Sequence, residues 1–228
     1  MAMILSIAEQ SVRQLGGEAS VLARQRRDHI KIDRMMTYYE SGSGTEAERQ
    51  RTLHDIVQLT FSHAFAEEVV LWPALRRLAL DGEELTARVE EEHQEINELV
   101  AELERTASDD PRHDELVGRA FAWIRQDIRD EEDLLLPRLQ EALDRTRLRR
   151  LGSAWETVRR TAPTRPHPAV SRRPPGNAVA GVPLSAFDRT RDLLPVGTRA
   201  PNALTLVVAG AAALMAWLVF AAVRHRRR

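Results

Sequence analysis

The stretch IVQLTFSHAFAEEVVLWPA, residues 56–74, decides how the chain is read. Ile56, Leu59, Thr60, His63, Glu67, Val70, Leu71 and Ala74 recur at spacings of three and four, which places them on one face of an α-helix. That face is apolar at both ends and ionisable in the middle. His63 and Glu67 stand one helical turn apart and point the same way. His54 lies on the opposite face, at about 100° per residue, and is expected to face solvent.

The pattern has an internal echo. His63-x-x-x-Glu67-Glu68-x-x-Leu71-x-Pro73 recurs as Asp127-x-x-x-Glu131-Glu132-x-x-Leu135-x-Pro137. A pseudo-twofold bundle requires two helices that present the same face to its centre. Breakers at Gly16-Gly17, Ser41-Gly42-Ser43-Gly44, Asp81-Gly82 and Ser108-Asp109-Asp110-Pro111 divide the chain into long helices over about 18–40, 45–80, 83–107 and 112–146. A short amphipathic helix over 6–15 and a further helix over about 147–160 flank them. Four long helices with short connections imply an all-α, antiparallel up-down four-helix bundle.

Each apolar stripe is interrupted in the same manner. His29 lies between Leu22 and Met36 on the first helix, and His93 follows Val89 and precedes Ile96 and Val100 on the third. Asp127 and Glu131 share a face with Trp123, Ile124, Leu134 and Leu135 on the fourth. Burying unpaired carboxylates costs several kcal/mol. A cation supplies both the compensating charge and the coordination, and a carboxylate from each side could bridge two metals at the bundle axis. Glu68 and Glu132 are expected to point away from the stripe into solvent, with Glu132 an alternative to Glu131 as the bridging group.

Composition narrows the chemistry. The 228-residue chain has no cysteine, which excludes disulfides, iron–sulfur clusters, zinc ribbons and thiol catalysis, so any metal is held by histidine and carboxylate. The formal net charge of −1 gives no whole-chain signal for nucleic acid. There is no Gly-rich phosphate loop and no serine elbow. Eight of the eleven prolines fall in 163–202, a linker composition. The run 203–223 carries no charge and precedes Arg224-His225-Arg226-Arg227-Arg228. About 20 helical residues span a bilayer core. The expected organisation is therefore a helical domain over 1–162, a Pro-rich linker over 163–202, a transmembrane helix over 203–223 and a basic tail over 224–228. No N-terminal signal peptide is evident, so the chain is read as a single-pass, C-terminally anchored membrane protein with its domain in the cytoplasm.

Several motifs together resemble the hemerythrin-like, or HHE cation-binding, domain family. They are Arg26-Arg27-Asp28-His29; His63-x-x-x-Glu67-Glu68 with Leu71-Trp72-Pro73; Glu91-Glu92-His93; Glu131-Glu132 with Leu135-Leu136-Pro137; and the closing Ala162-Pro163-Thr164-Arg165-Pro166-His167-Pro168. The resemblance covers about residues 20–170. It implies a non-haem di-iron site, with His29, His63, Glu67, His93 and Glu131 as ligands. It also implies dioxygen, peroxide or nitric oxide as the small ligand. Two positions depart from the family pattern. Asp127 stands where a histidine is usual, and Asn97 stands where the oxygen-carrying hemerythrins have a second histidine. Fewer imidazoles and more carboxylate favour an oxidised, oxygen-ligated metal over a reversible oxygen carrier. Manganese or a single iron also suits this donor set. The alternative function is a membrane-tethered helical interaction module whose metal site has decayed through Asp127.

Overall fold

The computed structural model describes residues 5–162. The expected linker, transmembrane helix and basic tail lie outside the described residues. Within them, no helix is long and apolar enough to cross a membrane.

The described chain is all-helical. After a 3₁₀ turn at Ile7–Glu9 come α1 (Val21–Glu40), α2 (Glu46–Ala66), α3 (Trp72–Leu78), α4 (Gly82–Leu103), α5 (His113–Asp130), α6 (Leu136–Ala142) and α7 (Arg145–Arg160). A single π-helical segment, Glu67–Leu71, joins α2 to α3, and a second, Glu131–Leu135, joins α5 to α6. The long second and fourth helices of the sequence reading are thus each interrupted by one widened turn.

The prolines of the echo explain that turn. Pro73 and Pro137 have no N–H to donate, and each ring would collide with the carbonyl four residues earlier in a regular helix. Widening the preceding turn relieves the clash. The Trp72 N–H reaches back five residues to the Glu67 carbonyl, and the Leu136 N–H does the same to Glu131. Such insertions are rare and concentrate at functional sites.

Helix starts follow local chemistry. The Ser20 hydroxyl accepts from the Leu22 N–H at the head of α1. Thr45 and Glu48 form a reciprocal capping box at α2, a device whose cap contributes about 1 kcal/mol. Two expectations need correction. Residues 6–15 form the 3₁₀ turn and isolated hydrogen-bonded turns rather than a helix, since so short a segment does not repay its nucleation cost. The fourth long helix begins at His113, not at 112: Asp110 accepts from the Arg112 N–H and closes a turn that leaves Pro111 outside. Gly16 and Gly17, both at φ +95°, reverse the chain ahead of α1, a conformation that side-chain-bearing residues rarely adopt.

Two apolar clusters fill the interior. One contains Ile32, Met36, Ile56, Leu59, Ile96, Val100, Phe121 and Ile124. The other contains Leu22, Leu71, Trp72, Val89, Leu135, Leu136 and Trp155. Read along the chain, α1 passes from Leu22 in the second cluster to Met36 in the first, and α4 passes likewise from Val89 to Val100. The rod begun by α2 runs the other way, from Ile56 to Leu71, as does that begun by α5, from Ile124 to Leu135. The direction alternates from rod to rod, which is the up-down arrangement. The polar stretch of every rod falls between the clusters, at one level of the bundle.

Candidate metal centre

At that level His29, His63, Glu67, His93, Asp127 and Glu131 converge, and all six are buried. His29 Nε2 lies 3.0 Å from His63 Nε2 and 3.1 Å from Glu131 Oε2. His63 Nε2 lies 3.0 Å from Glu67 Oε1. Across the axis, His93 Nε2 lies 3.3 Å from Asp127 Oδ1, 3.7 Å from Glu131 Oε1 and 3.8 Å from Glu67 Oε2. Each of the two glutamates therefore offers one oxygen to the His29–His63 side and the other to the His93 side.

These atoms form two groups compact enough to hold an ion. One comprises His29, His63, Glu67 and Glu131; the other comprises His93, Asp127 and Glu131. Glu131 belongs to both. His54, by contrast, is exposed and pairs with Gln58 at 2.9 Å.

The three imidazoles share one orientation. Each turns Nε2 inward and Nδ1 towards a carboxylate of another rod. His29 Nδ1 meets Glu132 Oε1 at 2.8 Å, and His93 Nδ1 meets Glu68 Oε1 at 2.9 Å. His63 Nδ1 faces Asp28 Oδ2 at 3.6 Å. Carboxylate partners of this kind fix the tautomer and ring direction of metal-binding histidines.

The expected solvent-facing placement of Glu68 and Glu132 is therefore wrong. Glu68 is buried, and the Glu132 side chain is mostly covered. An α-helical 100° step through both residues would turn them outward. Each instead is the second residue of a π segment, whose wider turn keeps adjacent glutamates on the inner side. The sequence signal was present in the doubled glutamates ahead of Leu-x-Pro.

The electrostatics are those of a coupled buried cluster. Burial opposes a charged His63, yet Glu67 and Asp28 outweigh it and hold the imidazole at about 9. His29 is raised well above the ordinary histidine value: burial opposes its charge, and Glu131 and Glu132 override it. His93 is raised likewise against burial, by Asp127, Glu131 and Glu68. Burial and the charge of Glu131 push Glu67 up to about 7. Glu131 itself is held far below the usual carboxylate range: His29 and His93 overcome the cost of its burial. Burial raises Asp127, partly offset by His93.

The donor set fits a pair of cations. Both oxygens of Glu67, both of Glu131, and Asp127 Oδ1 are buried without a hydrogen bond of good geometry. Buried carboxylate oxygens in native proteins are nearly always satisfied. Coordination to a cation would satisfy them, and imidazole with carboxylate is donor chemistry that suits iron and manganese.

The sequence pattern of the hemerythrin HHE cation-binding domain matches residues 20–139. An uncharacterized hemerythrin-like protein of Schizosaccharomyces pombe is 24% identical over 133 residues. The alignment covers 58% of this chain and 66% of the relative, just under two thirds of its length. No solved structure matches the chain. With the family pattern spanning more than half of the sequence and ending on the second of the two repeated rods, the chain belongs to the hemerythrin HHE cation-binding domain family.

Proposed function

We propose that this chain holds a two-metal, non-haem iron centre that binds, senses or detoxifies a small oxidant such as dioxygen, peroxide or nitric oxide. One observation carries the reading: Glu131 is common to two buried donor groups, and Glu67 faces both. Domains of this family bind metal ions, usually iron. His29, His63, Glu67 and Glu131 hold one ion; His93, Asp127 and Glu131 hold the other. Asp28, Glu68 and Glu132 keep the imidazoles aimed. The flanking apolar clusters exclude bulk water. A bound redox-active metal supplies electrons and a coordination position to the oxidant. The decayed-site alternative has against it the convergence of all six side chains and of three orienting carboxylates.

The test is metal content. The 228-residue chain loaded anaerobically with ferrous iron should carry two irons and show near-ultraviolet absorption that changes when peroxide is added. His63→Ala should lose metal and thermal stability together, because in such sites binding free energy is folding free energy. His54→Ala should lose neither. A chain that stays metal-free after iron and manganese loading overturns the reading. Equal loss in both variants would mean that the wrong helix face has been assigned.

Location belongs to the same proposal. The uncharged run 203–223 anchors the chain in a bilayer, with the helical domain on the cytoplasmic side. Deleting residues 203–228 should move the protein from the membrane to the soluble fraction. Unchanged fractionation rules the anchor out.

A further inference from the structure

Helix α7 lies beyond the family match, which ends at residue 139, yet it reaches the centre. Trp155 is fully buried and meets the His63 ring edge-on, with centroids 5.3 Å apart and planes at 82°. The Arg159 guanidinium covers the Trp155 ring at 5.3 Å. Arg159 Nε also lies 3.6 Å from Asp28 Oδ2, the same oxygen that faces His63 Nδ1 at 3.6 Å. One carboxylate oxygen thus sits between an imidazole of the bundle and a guanidinium of α7.

His63 differs in this from the other two imidazoles. The partners of His29 and His93 lie within the π segments, at hydrogen-bonding distance. The partner of His63 is farther away and is itself held from a helix outside the four rods. The docking of α7 is close. A Cβ on Gly152 would come within 2.4 Å of the Ala19 carbonyl oxygen, so only glycine allows this approach. Arg24 of α1 pairs with Glu156 at 3.1 Å and ties the helix down beside the site.

We propose that Asp28, Trp155 and Arg159 are positioning residues for His63, and that the docking of α7 and metal occupancy on the His29–His63 side depend on each other. This rests on the two-metal reading above. The dependence is reciprocal: whatever factor α7 contributes to metal affinity, metal contributes to the docking of α7. Outer partners of metal ligands typically contribute 10- to 100-fold in affinity. The His93 side, oriented by Glu68, is expected to be indifferent to α7.

The test measures amide hydrogen exchange across residues 145–160 in the 228-residue chain, iron-free and loaded with ferrous iron. Iron content is determined on the same samples. In the wild type, α7 amides should exchange about 10-fold more slowly with iron bound, the low end of the outer-partner range. Arg159→Gln should release one of two irons to a chelator about 10-fold faster, on the same scale, and leave the other unchanged. It should also make α7 exchange insensitive to iron. Arg159→Lys should restore part of both effects. Arg125→Gln removes an exterior ion pair to Asp33 and Glu40 and should change neither. Should Arg159→Gln not fold, Trp155→Phe removes part of the indole surface beneath Arg159 and reads the same coupling. Two irons bound with α7 exchange unaltered overturns the coupling and leaves the metal reading standing. No iron bound under loading overturns the metal reading and the coupling with it.

Discussion

Glu131→Ala is expected to empty both metal positions, a larger loss than any histidine substitution should cause. Glu131 is the member common to the two donor groups, with Oε2 3.1 Å from His29 Nε2 and Oε1 3.7 Å from His93 Nε2. It is fully buried and held far below the ordinary carboxylate range, because His29 and His93 overcome the cost of its burial. It is therefore the anion against which the cluster is balanced. Removing it leaves three inward imidazoles around Glu67 and Asp127. Breaking a buried charge pair by deleting one partner costs about 3–5 kcal/mol, so the metal-free variant should also unfold well below the wild type. His63→Ala, by comparison, leaves the His93 group whole and should spare one metal. Glu131→Gln separates charge from shape. Its amide oxygen can serve one ion, but its NH₂ cannot serve the second, so one metal should remain. Metal analysis and thermal melting of the two variants decide the matter. Two metals retained in both would remove Glu131 from the centre.

The sequence and the structure agree most where period alone decides position. His29, His63, His93 and the Glu67 and Glu131 pair fall on apolar stripes, and stripes must face inward, so their convergence was readable in advance. The pairing of 67 with 131 came from the repeat. What the stripes do not reveal has two physical causes. Glu68 and Glu132 were misplaced because a helical wheel assumes a constant step, and Pro73 and Pro137 break that step one turn after the glutamates. Trp155 and Arg159 were missed because their contacts are long-range. They sit on a helix whose own stripe, around Leu148, Gly152 and Trp155, announces packing but not against which partner. Asp28 fell between the two. It adjoins His29, yet serves His63 on another rod.

That last pattern bears on Asp127. On three of the four rods, one of two adjacent residues faces the centre while its neighbour faces an imidazole on another rod. Asp28 adjoins His29 and faces His63; Glu68 adjoins Glu67 and meets His93; Glu132 adjoins Glu131 and meets His29. Glu92 adjoins His93 on the remaining rod, but meets Asp130 and Arg88 instead of an imidazole. Burial, a hydrogen bond shared with Asp130 and the charge of Asp127 push it up to about 8, against the pull of the Arg88 guanidinium 3.6 Å away. Arg88, mostly exposed, pairs with Asp130 at the rim.

Asp127→His is accordingly expected to strengthen the group of His93, Asp127 and Glu131. The imidazole replaces an anion, reaches further, and offers Nδ1 to Glu92 as the other three histidines offer theirs. Glu92 should then ionise in the ordinary carboxylate range. Metal affinity on the His93 side should rise, and the part of that gain owed to Glu92 as the outer partner of the new imidazole should be about 10- to 100-fold. The reduction potential of the centre should rise as well, because a neutral donor stabilises an oxidised metal less than a carboxylate does. Adding Glu92→Gln to Asp127→His should cancel most of the gain in affinity, whereas Glu92→Gln alone should change little, and metal titrations of the four proteins measure that coupling directly. Asp127→Ala should lose the second metal. If Asp127→His and Asp127→Ala both left metal content and potential at wild-type values, Asp127 would lie outside the centre, and the correspondence between the two repeated rods would hold for the backbone alone.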